Sequence, residues 1–256
     1  MPENDGENDG QEATFAHYLQ DMAVILNIET STRNCSVALS KDDELLSWRE
    51  SDQGNEHAAR IAVFVSEVLQ ETGLRCGDIE AVAVGEGPGS YTGLRIGVST
   101  AKGLAYALDR PLLRVSPLQA MAWEAARLVS EKEGGKGGFL FCPMTDAGRM
   151  EAYTAIYDAD GQVLRAVAAD IVDESSYQEY FSRGTLVFCG DGCAKCQELF
   201  KERDALFLPQ IRPSARYMPA LAAAAFARKE FEDVAYFEPF YLKDFVAGKP
   251  HVKGLD

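Results

Sequence analysis

A chain of 256 residues and 28.0 kDa is long enough for one large domain or two smaller ones, and 46% hydrophobic with 25% charged residues is an ordinary globular composition. No apolar run approaches the length of a membrane span and no basic, apolar leader opens the chain, so a cytoplasmic protein is the default reading. The formal charge of −15 disfavours a broad nucleic-acid surface, which would need clustered Lys and Arg.

Residues 1–21 carry six acidic residues, no Lys or Arg and two Asn-Asp-Gly triplets, the composition of a flexible acidic extension. Met22 directly precedes the first strand and offers a second start. Alternation and flanking turns predict three antiparallel strands over residues 23–29, 35–40 and 44–49. Asn55 is a good N-cap for a helix over residues 56–72 that ends at Gly73. Its apolar set, with Ile61, Phe64, Val65 and Val68, is wider than a one-sided surface helix requires, which suggests two apolar neighbours.

The stretch from Ile79 to Leu108 reads as strand, glycine loop and helix. Gly85, Gly87 and Gly89 permit positive φ and close backbone approach, Pro88 fixes one φ, and Ser90, Tyr91 and Thr92 open the helix. A glycine turn feeding a helix N-terminus suits a phosphate or carboxylate. It equally suits a tight packing turn, and neither the dinucleotide fingerprint nor the Walker pattern is present: Ser90 stands where the former needs glycine, and no Gly-Lys-Ser/Thr triplet occurs. Gly93, Gly97, Ala101 and Ala105 then repeat every fourth residue, a small-residue stripe that lets another element come close.

A short strand at residues 112–115 and a helix starting near Pro117 complete an N-terminal unit over 22–130. Glycine-rich residues 131–138 are the predicted linker to a C-terminal unit over 139–256. That unit repeats the plan: three strands over 139–145, 151–157 and 162–169, a helix, a strand at 185–189, a helix, and an Ala-rich helix over 214–229. The expected fold class is therefore a duplicated α/β unit. Cys189, Cys193 and Cys196 cluster without a fourth nearby ligand, so they read as thiols of a strand end and a helix, with no metal assigned.

Residues 25–31, the Gly87-to-Gly97 segment, Asp146 to Tyr153, and Glu238-Pro239-Phe240-Tyr241-Leu242 resemble four motifs of the bacterial TsaB (YeaZ) family, over nearly everything from Met22 onward. The sequence departs at Gly148, where that family usually has Arg, and at Lys243, where Arg is frequent. The resemblance implies an actin-like ATPase (ribonuclease H-like) fold. It also implies a scaffold role in forming threonylcarbamoyladenosine next to the anticodon of tRNA, with the chemistry on the paralogous transferase TsaD and a second partner, the ATPase TsaE. TsaD-type enzymes carry a His-x-x-x-His metal motif after the short strand that follows the central helix. Pro117 and Met121 occupy those places here and cannot supply imidazole ligands.

On this reading the chain has no catalytic residue, no metal and no cofactor of its own; ATP or ADP would belong to the complex interface, and tRNA would be reached only through the complex. The two N-terminal helices would pair with those of TsaD through His57, Ile61, Phe64, Val65, Val68, Gly93, Gly97, Ala101 and Ala105, the alternative being that these residues pack on the chain's own sheet. Three rivals are weighed against it. Glu29, at the end of the first strand, stands where an actin-fold ATPase or kinase places a carboxylate near the nucleotide phosphates. A peptidase would need a metal motif or a triad that the sequence lacks. A structural homodimer would use the same helices and compete with the hetero-complex.

Overall fold

The computed structural model describes residues 23–53, 57–134 and 137–243. The expectations for residues 1–21, the Asn55 cap, linker residues 135–136 and the tail from 244 to 256 lie outside them. Within them the chain forms two five-stranded sheets of identical topology. Strands β1 (Val24–Glu29), β2 (Cys35–Lys41), β3 (Glu44–Ser51), β4 (Ala81–Gly85) and β5 (Leu112–Val115) are ordered β3-β2-β1-β4-β5. Strands β6 (Phe139–Asp146), β7 (Glu151–Tyr157), β8 (Val163–Ile171), β9 (Thr185–Cys189) and β10 (Ala205–Leu208) are ordered β10-β9-β6-β7-β8. In each, a meander of three antiparallel strands is extended by two parallel ones. The duplicated α/β plan is thus realised strand for strand, including β10, a four-residue strand that the periodicity did not predict.

The helices are not duplicated as faithfully. Helices α1 (His57–Thr72), α2 (Tyr91–Leu108) and α3 (Pro117–Glu133) belong to the first cycle, while the second supplies, among the described residues, the short α4 (Gln178–Phe181), 3₁₀ turns at Cys193–Cys196 and Ala215–Tyr217, and α5 (Pro219–Ala227). Capping explains the firm ends. The Ser90 hydroxyl accepts from the Gly93 N–H at 3.3 Å, and the Ser116 hydroxyl from that of Gln119 at 3.3 Å with Pro117 behind it. Asp109 and Gly134 close α2 and α3 in left-handed conformations. Helix α3 runs to Glu133, three residues into the segment that composition marked as linker.

Each half lends its last helix to the other. Helix α3 follows the first sheet in sequence, yet Leu118, Met121, Ala122, Ala125 and Val129 pack on Phe141, Tyr157 and Val187 of the second. In return the 3₁₀ turn at Ala215–Tyr217 and α5 lay Ala215, Met218, Ala222 and Ala225 on Ile25, Ala38, Ala81 and Ala83 of the first sheet. The chain from Ser214 onward therefore serves the first half, although sequence order placed residues 139–256 together. Small residues on the first sheet's α5 face let an alanine helix sit close. The opposite face packs under α1 and α2, around Leu26, Ile28, Val37, Ile61, Val68, Val82 and Ala101.

The final described segment, residues 231–243, is a strap. It joins the free edge of β5 through a Leu112–Glu232 bridge, runs along α2, where Lys102 Nζ donates to the Ala235 and Phe237 carbonyls at 3.1 and 3.0 Å, and crosses the glycine loop by Phe240 N–H to Glu86 O at 2.8 Å.

Candidate functional site

A cleft of about 450 Å³ opens between the two halves where the strand ends of both sheets converge. From the first half it is lined by Ser31, Thr32, Arg33, Gly89 and Ser90; from the second by Thr145 to Gly148, Tyr153 and Asp191. Its position follows from the topology, since β1 with the β4–α2 loop faces β6 with the β9 end across the pseudo-symmetric boundary.

The glycine loop forms one wall, and its glycines are spent on the chain's own backbone. A Cβ on Gly89 would stand 2.1 Å from Ser31 O, one on Gly93 2.2 Å from Thr30 O, and one on Gly97 2.1 Å from Thr30 Oγ1. Gly87, at φ +107°, lies under Phe240 O of the strap, with 2.9 Å to a hypothetical Cβ. Pro88 is buried behind it. The Ser90 N–H, at the mouth of α2, donates to Ser31 O at 2.7 Å, and Thr30 Oγ1 donates to Gly93 O at 2.8 Å. Residues 30–31 thus pack directly against the loop and take up the Ser90 N–H at the mouth of α2.

Glu29 ends β1 at 1% exposure. Its Oε1 accepts from the Ser31 N–H at 2.5 Å, while Oε2 has no partner and lies against Gly85, 1.8 Å from where a Cβ would be. Burial raises its carboxyl above the ordinary range, outweighing the hydrogen bonds from Ser31 and Thr30 that lower it. Two further buried oxygens, Ser31 Oγ and Thr145 Oγ1, belong to cleft-lining residues and also lack protein partners.

The second wall was only partly legible. Asp146, within the Asp146-to-Tyr153 motif, accepts from Lys195 Nζ at 2.6 Å and from the Gly148 N–H at 2.7 Å. Burial opposes its charge, but those bonds prevail and hold it below the usual carboxylate range. Lys195 also donates to the Arg149 and Glu151 carbonyls, at 2.8 Å each, and so fixes the β6–β7 turn. Gly148 adopts φ +93°, a conformation that suits glycine. Asp191 accepts from the Asp146 N–H at 3.1 Å and is shifted upward by burial and by the neighbouring Asp146 charge. Its signal was Gly190-Asp191-Gly192: the turn after β9 is the second-half counterpart of the glycine loop after β4.

The residues assigned to an intersubunit surface are placed otherwise. Ile61, Val68 and Ala101 are 0% exposed, Phe64 6%, Val65 8% and Ala105 1%, all within the core between the first sheet and its two helices. Gly93 and Gly97 face Thr30, and His57, 6% exposed, holds Nε2 2.9 Å from Thr32 O. All nine are buried within the single chain. The wide apolar set of α1 and the small stripe of α2 serve the sheet beneath them, which the sequence could not separate from an interface because both demand close packing. The outward faces are different residues. On α1 they include Ala58, Ala59, Ala62, Val63 and Ser66; on α2, Thr92, Ser99, Gly103, Tyr106 and Ala107. Among these, only Val63 and Tyr106 are large. Tyr91, at the start of α2, instead stacks on Tyr241, with ring centroids 4.9 Å apart.

Pro117 is the first residue of α3, and Met121 is fully buried against the second sheet. Among the described residues no group of three His, Cys, Asp or Glu side chains could hold a metal, and no helix is long and apolar enough to cross a membrane.

The family model for TsaD, tRNA N6-adenosine threonylcarbamoyltransferase, matches residues 51–250. The chain is 35% identical to the tRNA threonylcarbamoyladenosine biosynthesis protein TsaB of Escherichia coli K12, over 88% of this chain and 96% of that one. It is 30% identical to the TsaB protein of Haemophilus influenzae, over 88% and 95% respectively. The structure of YeaZ from Pseudomonas aeruginosa superposes with a TM-score of 0.71 at 28% identity, covering 86% of this chain and all of that one.

Proposed function

The chain belongs to the TsaB family of tRNA threonylcarbamoyladenosine biosynthesis proteins, within the wider group that the TsaD family model matches, and from that premise we propose that it is the non-catalytic scaffold that binds and activates the TsaD transferase. Its part in threonylcarbamoyladenosine biosynthesis follows from the family. The scaffold reading is supported by one observation: residues 30–31 and the strap of the same chain pack directly on the glycine loop, whose glycines serve that close approach. The positions of the transferase's metal-binding histidines support it, being filled by Pro117 and a buried Met121.

The docking surface is the outer face of α1 and α2. Small residues at Ala59, Ala62, Ser66, Ser99, Gly103 and Ala107 allow two foreign helices to approach closely, while Val63 and Tyr106 supply apolar area. TsaE joins the assembly, and any nucleotide sits between subunits, not in this chain's glycine loop. A homodimer through the same face competes with the TsaD complex.

Ala62→Glu and Gly103→Glu test this reading. Both positions are exposed, so the variants keep the wild-type circular dichroism, while calorimetry shows TsaD binding weakened at least about tenfold, since a carboxylate forced into a helix interface goes unpaired. Ile61→Glu, at a 0% exposed position, unfolds instead. Wild-type affinity in both surface variants refutes the assignment.

A further inference from the structure

We infer that the C-terminal strap is a latch that sets the width of the cleft between the two halves. The argument rests on the strap's own contacts and does not depend on the scaffold reading. Most of its attachments are to the first half. Glu232 bridges to Leu112 and pairs with Arg114 at 3.0 Å, Phe237 is buried in the first core, and Lys102 holds two of its backbone carbonyls, those of Ala235 and Phe237. The strap then crosses the glycine loop, with the Phe240 N–H on Glu86 O, the Phe240 carbonyl over Gly87, and the Tyr241 ring on Tyr91, whose ring is covered in turn by Arg95.

Its last described residue changes sides. Lys243 forms an ion pair with Glu151 and places its ammonium 5.7 Å from the centre of the Tyr153 ring, both on β7 of the second half. Glu151 is also the residue whose amide and carbonyl close the β6–β7 turn: it donates to Gly148 O at 3.0 Å and accepts from the Ala147 N–H at 3.1 Å. Ala147, Gly148 and Tyr153 are cleft wall. The strap therefore ties the glycine loop, on one side of the cleft, to the turn that forms the other side.

The size of the effect is bounded by exposure. Lys243 and Glu151 side chains are 41% and 25% exposed, so the pair resembles a surface ion pair reinforced by one cation–π contact. Such a link tunes an opening equilibrium while the fold is held elsewhere.

Hydrogen exchange on the full chain, read by mass spectrometry, tests the latch. Lys243→Met is expected to quicken amide exchange about two- to fivefold in peptides covering 86–93 and 145–153, and to leave those of α3, the central strand β1 and residues 139–144 of β6 unchanged. Lys243→Arg, which keeps the charge and the ring contact, retains wild-type protection. Unchanged exchange in both cleft peptides in Lys243→Met overturns the proposal. So does equal quickening throughout the chain, which would mark general destabilisation, and so does Lys243→Arg behaving like Lys243→Met, which would show that the charge is not the link.

Discussion

Gly97 and Gly103 lie six residues apart on α2 and make opposite predictions for the same substitution. In a helix interior alanine is better than glycine by about 0.8–1 kcal/mol. At Gly103 nothing lies within 4 Å of an added Cβ and the position is exposed, so Gly103→Ala realises that gain, a rise in melting temperature of about 2–4 °C for a chain of this size. At Gly97 the same methyl stands 2.1 Å from Thr30 Oγ1 and 3.3 Å from Thr30 Cβ. Thr30 is 1% exposed, and its hydroxyl, which donates to Gly93 O at 2.8 Å, can turn away only by leaving that bond unmade. A buried polar group left unsatisfied costs about 1–3 kcal/mol and overpacking a similar amount, which outweighs the helix gain. Gly97→Ala should therefore lose about 1–4 kcal/mol, measured as a lower urea midpoint at constant slope. Combining it with Thr30→Ala isolates the clash, because the double variant should recover more than the two single effects predict. If Gly97→Ala is as stable as the parent chain, the close approach of α2 to the end of β1 is wrong, and with it the account of why the glycine loop is closed.

Two further outcomes follow from buried ionisable groups. Because burial raises the Glu29 carboxyl above its ordinary 4.5, the folded chain keeps a proton that the unfolded chain releases; stability falls as pH rises from about that value to the folded one, and Glu29→Gln should flatten this slope in urea titrations between pH 4.5 and 8. Burial, the leading cause at each site, pushes the thiols of Cys35, Cys142 and Cys193 up to about 12 and that of Cys196 to about 11, and raises Cys189 as well, while Cys76 is exposed; a thiol reagent at pH 8 should modify one cysteine rapidly in the native chain and six in denaturant.

Much of the fold was legible because period and punctuation agree at the same places. Residues 35–41 alternate between two turns, and Ser90 and Asp109 bracket α2 at the ends that its composition predicts. Strand β10 escaped because Ala-Leu-Phe-Leu is too short to show a period and follows a charged run. The expected second-cycle helices shrank to α4 and a 3₁₀ turn because that face of the second sheet is filled by aromatic side chains instead: Phe188 stacks on Phe200 and Phe207, and Tyr177 and Phe181 pack tilted or edge-on against Phe188 and Phe200, with ring centroids no more than 6.2 Å apart. Which sheet a helix covers was not legible at all. Amphipathic α3 and alanine-rich α5 carry faces that suit either sheet, and their exchange between halves is settled only in three dimensions.

The candidate site shows the same limit more sharply. Close approach was read correctly from Gly93, Gly97, Ala101 and Ala105, but a sequence records that something comes near a small residue and not what it is. The Cβ distances supply the answer, Thr30 of the same chain. Once that stripe is committed inward, the outer faces of α1 and α2 are a different set, small again at Ala62, Ser99 and Gly103 but exposed. A helix that lies close to its own sheet beneath, and on the proposed function close to a foreign helix above, needs small residues on both faces, and α2 has them. The glycine loop reads as a nucleotide seat in sequence for a related reason: Gly87, Gly89, Gly93 and Gly97 are the residues that let the end of β1, α2 and the strap close on one another.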